Sequence, residues 1–145
     1  MRPFYTLVAL LILAMLPMTG ECFSTKKGAE MHQAESLLSE YFSMLEIGNI
    51  PGILDLLTGP MLKTNENVLR NNPGYAAFLR DRYRHSSFII TKYELIEASR
   101  AMVDVVIILN TQEEIRTRFI LAVEGGNLRI YAEEEIITPE RNTAQ

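Results

Sequence analysis

The side chains most able to do chemistry are few and scattered. The densest basic cluster is Arg80, Asp81, Arg82, Tyr83, Arg84 and His85, which could hold an anion or an acidic partner. On a helix, Arg82 stands about 200° from Arg80 and Arg84, so the three guanidinium groups do not share a face. Cations in the last turn of a helix are also favoured by its dipole, which accounts for them without a ligand. A second pattern, Arg116 and Arg118 with Glu133 and Glu135, has the composition of a carboxylate pair with cationic clamps. His32 and His85 lie far apart with no metal-ligand spacing around them, so neither a metal nor another cofactor is expected. Four tyrosines, Tyr41, Tyr75, Tyr83 and Tyr93, could offer hydroxyls to a ligand, although helical spacing equally suits core packing with the hydroxyl at a rim. There is no glycine-rich phosphate loop and no serine elbow, and the only cysteine, Cys22, falls at the end of a leader-like segment. Hydrolase and nucleotide chemistry drop out.

That leader-like segment is the unbroken apolar run Leu7 to Leu16, preceded by Arg2 and followed by Pro17, Thr19, Gly20 and Glu21. It has the pattern of a secretion signal and is shorter than the roughly 20 residues that span a bilayer. Residues 1–22 are therefore expected to be a signal peptide, 23–28 a linker, 29–136 the folded domain and 137–145 a tail. The expected location is periplasmic or secreted, with no stable transmembrane span. Glu21 directly before Cys22 argues against lipidation. With 48% hydrophobic and 22% charged residues the chain has the composition of one globular domain, and a formal net charge of −4 makes nucleic acid an unlikely partner.

The elements that must carry these residues follow from periodicity. Ala34, Leu37, Leu38, Tyr41, Phe42 and Leu45 trace one helical stripe, which Gly48 and Asn49 end. Pro51 suits the first turn of a short helix bearing Ile53, Leu54, Leu56 and Leu57, stopped by Gly59 and Pro60. Between 61 and 72 only one turn from Thr64 to Leu69 is expected. Asn72 and Pro73 open a third helix whose stripe is Tyr75, Phe78, Leu79 and Tyr83. After Ser87 the period changes to two, giving strands near 87–97, 100–111, 115–124 and 127–136 with short connections, hence an antiparallel meander.

The last hairpin can be put in register. With Gly125 and Gly126 as its turn, Val123 faces Leu128, Leu121 faces Ile130, Phe119 faces Ala132 and Ile115 faces Ile136, all on one apolar face. The other face then pairs Ile120 with Tyr131, Arg118 with Glu133 and Arg116 with Glu135, as exposed cross-strand couples. In the second strand Val103, Val105, Ile107 and Leu109 form the face that meets the helices, and Asp104 falls on the other. On that face Val106, Ile108, Ile120 and Tyr131 form an apolar patch that needs a cover.

The helix motif Tyr41, Phe42, Leu45, Gly48, Asn49, the PGILDLL helix, the NNPGYAAFLRDRY helix and the hairpin Gly125 to Ile130 occur in an order that resembles the NTF2-like superfamily. The resemblance covers about residues 29–136 and is closest to small exported bacterial members of unknown function. It implies an α+β, cone-shaped fold with three N-terminal helices packed on a curved four-stranded antiparallel sheet. A cystatin-like fold, with one helix on a meander, is the competitor. The resemblance also implies a pocket between helices and sheet, with Tyr41, Leu45, Tyr75, Phe78, Tyr83, Tyr93 and Phe119 as candidate ligand contacts, and a homodimer through the patch of Val106, Ile108, Ile120 and Tyr131.

Enzymes of that superfamily place a carboxylate or histidine inside the cone. On the inner faces that this strand register gives, only Thr117 and Glu134 are polar, both near the open end, so no general base stands out. The expectation is an exported, non-enzymatic domain that binds a small apolar ligand or a protein partner. The alternatives are an isomerase- or dehydratase-like enzyme using His85, Asp104 or Glu134, and a structural subunit that docks another envelope protein.

Overall fold

The structure, a computed structural model, describes the backbone of residues 22–137 and the side chains of 26–137. The leader Leu7 to Leu16 and most of the tail lie outside the described residues. Helix α1 (Cys22–Ile47) begins upstream of the apolar stripe, so residues 23–28 continue the same helix. Its stripe is buried as spaced, from Ala34 through Leu45. Gly48 then adopts φ +67°, and Asn49 caps α2 (Ile50–Leu56) by accepting a 3.1 Å hydrogen bond from the Gly52 amide. No described helix is long and apolar enough to cross a membrane.

The third helix is one that periodicity underestimates. Gly59 takes φ +54°, Pro60 occupies the first turn, and α3 runs the whole way from Gly59 to Asn71. It buries only Leu69 and half-buries Met61 and Leu62, so its apolar stripe is too thin to read in the sequence. The Asn72 side chain accepts from the Gly74 amide at 3.1 Å and turns the chain into α4 (Tyr75–Tyr83). Among the described residues four helices, not three, precede the sheet.

Strands β1 (Ser87–Glu97), β2 (Arg100–Ile108), β3 (Glu114–Glu124) and β4 (Asn127–Glu135) pair in sequence order as an antiparallel meander. Along β2, alternate residues are buried and half-buried, as one face against the helices requires. The core joins Val103, Val105, Ile107, Phe119, Leu121 and Ile130 to the stripe of α1 and to Ile53 and Leu57 of α2 and its end.

The β3–β4 hairpin begins as expected, with both turn glycines at positive φ and pairs Val123 with Leu128, Ala122 with Arg129, and Leu121 with Ile130. It then departs. The register shifts between Ile120 and Leu121, leaving Tyr131 as an extra residue, so Ile120 faces Ala132, Phe119 faces Glu133, Arg118 faces Glu134 and Thr117 faces Glu135. A one-residue bulge reverses side-chain parity beyond it. The expected pairs Ile120–Tyr131, Phe119–Ala132, Arg118–Glu133 and Arg116–Glu135 are therefore corrected. Glu133 and Glu135 move to the helix-facing side, and Glu134 to the outer face. The Tyr131 ring lies against Gly59, where an added Cβ would come within 2.6 Å of it, and the Arg100 guanidinium stacks 4.4 Å from its centroid.

Asp104 stays on the outer face, held by Arg118, whose Nε and terminal nitrogen donate to its two oxygens at 2.7 and 2.9 Å. This hydrogen bonding keeps the Asp104 carboxyl below the usual aspartate range. The folded state thus binds that proton less readily than the unfolded chain, and the pair's contribution, present above the unfolded pKa, is lost as pH falls through the folded one. Asp104→Asn is expected to lower the urea midpoint at pH 7, with the gap to the parent narrowing steadily as pH falls below the ordinary aspartate range. A gap that does not narrow with falling pH would assign the loss to something other than this charge pair.

Candidate functional site

The helices and the inner sheet face enclose an open cavity of about 500 Å³. Met61, Thr64 and Asn65 of α3 form one wall, Arg82 and Tyr83 of α4 another, and Ile107, Ile115, Thr117, Glu133 and Glu135 of the sheet the third. The volume falls in the range of about 300 to 1,000 Å³ usual for small-molecule sites.

Glu133 is the group that sequence periodicity misplaces. Because the cavity is open, water reaches part of its side chain, while protein crowds the carboxyl closely enough to raise its pKa above the ordinary glutamate range. Desolvation is the whole cause of the shift; neither a cation nor a hydrogen-bond donor offsets it. Two tyrosines feel its charge. The Tyr41 hydroxyl is pushed up first by burial and then by Glu133, and Tyr83 likewise, with the neighbouring Arg82 partly opposing the rise. Burial and a nearby carboxylate keep both phenols protonated, so they are hydrogen-bond donors at neutral pH.

The other candidates divide by position. Tyr83 lines the cavity, whereas Tyr41 and Phe119 belong to the buried core, their rings 6.0 Å apart. Leu45 is 4% exposed and belongs to the core. Tyr75 is half-buried and packs on that core, its ring 5.5 Å from Phe78. Phe78 is itself 51% exposed and lines a separate crevice with Leu109 and Asn110. Tyr93 sits on the inner face of β1 opposite Val103, away from the cavity. Val106, Ile108 and Ile120 are half-buried on the outer face, while Tyr131 is drawn toward Gly59 by the bulge.

None of the three expected bases reaches the cone. His85 is on the surface beside Glu46, at 3.8 Å, Asp104 is paired with Arg118 on the outer face, and Glu134 faces Arg118 across strands on that same side. The basic cluster disperses as its spacing demands: Arg84 lies 3.8 Å from Asp81, Arg80 packs near Gly48, and Arg82 turns to the cavity. One sequence signal could have placed Glu133. After Arg129 the alternation gives way to three successive uncharged residues, Ile130, Tyr131 and Ala132, the kind of break at which parity can switch.

No protein-family model matches the chain, and no curated protein matches it either. Solved structures do match. An NTF-2-like protein of unknown function from Silicibacter pomeroyi DSS-3 overlays with a TM-score of 0.57 at 12% identity, over 77% of this chain and 98% of that one. Another from Shewanella oneidensis MR-1 gives 0.57 at 10% identity, over 73% and 98%. A protein of unknown function with a cystatin-like fold from Nostoc punctiforme PCC 73102 gives 0.54 at 8% identity, over 77% and 93%. A single helix on a meander would leave α2, α3 and α4 unexplained, and α3 and α4 wall the cavity. With four helices seated on a curved antiparallel sheet, and nearly the full length of two NTF2-like proteins overlaid on it, this chain has the NTF2-like fold.

Proposed function

We propose that the cone binds a small molecule with an apolar body and a polar head, and that Glu133 meets the head. One observation carries this: a carboxyl with a raised pKa and no compensating partner stands on the wall of a ligand-sized cavity, open to water on one side. A charge in such a place works against folding, and sites retained against stability are those where function requires them.

The sign of that cost can be tested. Because its folded pKa is raised, Glu133 binds a proton more tightly in the native state than in the unfolded chain. Stability then falls as pH rises through the interval between the unfolded and folded values; the cost is complete above that interval and absent below it. Glu133→Gln is expected to unfold at higher urea than the parent at pH 8 and at the same urea near pH 4. A variant that is less stable at pH 8 would mean that the carboxylate has a partner and the reading fails. Native mass spectrometry of the protein purified from its own host supplies the direct test: a retained small molecule is expected, and it should be lost from Glu133→Gln. A parent that arrives empty from every preparation overturns the proposal.

A second reading, proton transfer by an isomerase- or dehydratase-like enzyme, is favoured by the raised pKa of that same carboxyl beside a protonated Tyr83. It requires that Glu133→Gln abolish turnover of the retained molecule while keeping its affinity. We further assign the leader to export and the outer patch of Val106, Ile108 and Ile120 to a second copy of the chain. A monomer by sedimentation would instead direct that patch to a different envelope protein.

A further inference from the structure

We infer that the cone is selective for a small organic cation, an amine with an apolar body, whose ammonium group sits between Glu133 and Glu135 and against the Tyr83 ring. This rests on the reading of the cone as a ligand site and adds the charge of the ligand. The bulge at Tyr131 turns both glutamates inward, where they face Phe119 and Thr117 in the register. Two residues apart on one strand, their Cα atoms stand roughly 7 Å from each other, and the flexible side chains can bring both carboxylates onto one ammonium with its several donors. Arg82 shares the cavity wall, so two carboxylates stand there against one guanidinium and the lining carries a net negative charge.

A second observation comes from the other side of the cone. Tyr41 is only 6% exposed, and its hydroxyl senses Glu133, Tyr83 and Tyr75 without a hydrogen bond to any of them. The phenol and the carboxyl therefore lie close enough to interact through the wall of the cavity. Met61, Ile107 and Ile115 provide the apolar wall for the rest of the molecule.

Charge decides among ligand classes. An anion would be repelled by both glutamates. A neutral molecule would displace water from them and give nothing in return. A cation offsets the desolvation of Glu133 and gains the face of Tyr83 in addition.

Three probes of nearly equal shape separate the cases: 2-phenylethylamine, 2-phenylethanol and 3-phenylpropanoate, each titrated into ¹⁵N-labelled protein at pH 7.5. The amine is expected to shift the amides of Ile107, Thr117 and Glu133 and to bind about tenfold more tightly than the other two, with Glu133→Gln removing that preference and Glu135→Gln reducing it. Equal affinity for the amine and the alcohol overturns the charge selectivity and leaves the ligand site standing. Tighter binding of the acid overturns the selectivity outright. No shift at these amides with any probe overturns both the selectivity and the ligand site beneath it.

Discussion

Phe119→Ala is expected to lower the unfolding free energy by about 3 to 5 kcal/mol, the range for emptying a phenylalanine from a closed core. The ring is 0% exposed. It meets Tyr41 edge-on at 6.0 Å and Phe42 at 6.2 Å, and Phe42 in turn stacks on Phe88 at 4.9 Å. One side chain from β3 thus ties the long helix to two strands, and aromatic pairs of this kind add about 0.5 to 1.5 kcal/mol beyond the area they bury. No flexible neighbour is placed to collapse into the space, since Val103, Leu121 and Ile130 around it are themselves fully buried. Urea unfolding at pH 7 followed by circular dichroism measures the loss. A change below about 1 kcal/mol would mean that the helices can settle onto the sheet without this ring.

Gly48→Ala is expected to be nearly as damaging although it adds only a methyl group. The residue has φ +67°, which costs an L side chain about 1 to 2 kcal/mol. A Cβ there would also stand 2.6 Å from the backbone oxygen of Ala76 on α4. A carbonyl within a helix cannot swing aside as a side-chain tip can, so the turn between α1 and α2 must lift from α4, at a further cost of about 1 to 3 kcal/mol. The sum of these costs should emerge as a lowered melting temperature, and the displaced α4 should carry Arg82 and Tyr83 away from the cavity. Thermal unfolding of the variant, with the Tyr83 amide followed by NMR, tests both parts. An unchanged melting temperature would mean that the turn relaxes without strain.

The helical stripe of α1 and the alternation in β2 are legible in the sequence because each buries one continuous face, and burial of that kind writes a period into the chain. The hairpin is legible for four pairs, as far as Leu121 and Ile130, for the same reason. Pattern fails at Tyr131 because the residue that displaces the register is held there by Gly59, which lies more than 70 positions earlier. Local periodicity carries no record of such a contact. The run Glu133, Glu134, Glu135 reads the same in either parity, so composition does not reveal that its first member turns inward. The candidate site inherits that error: helical spacing finds Tyr83 on its wall, whereas the acid that gives it a chemical context falls on the wrong side. Helix α3 escapes for a different reason, since it touches the core through few residues and depends on Gly59 and Pro60 to start it.

The link between α2 and α3 has one more effect. The Thr58 amide donates to the Ile130 carbonyl at 2.9 Å, Leu57 bridges Ile130 in parallel fashion, and the Thr58 hydroxyl bonds to Glu124. A piece of chain lies along the border strand β4 and occupies hydrogen-bonding groups that a strand from another molecule would need, while the three glutamates deter approach farther along. The opposite border is less well defended. In β1, charged side chains begin only at Lys92, and Ser87 to Thr91 leave Ile89 55% exposed. If heat or destabilisation frees this protein to stack into fibrils, the first contact falls on that five-residue stretch, and a lysine in place of Ile89 would be the natural guard.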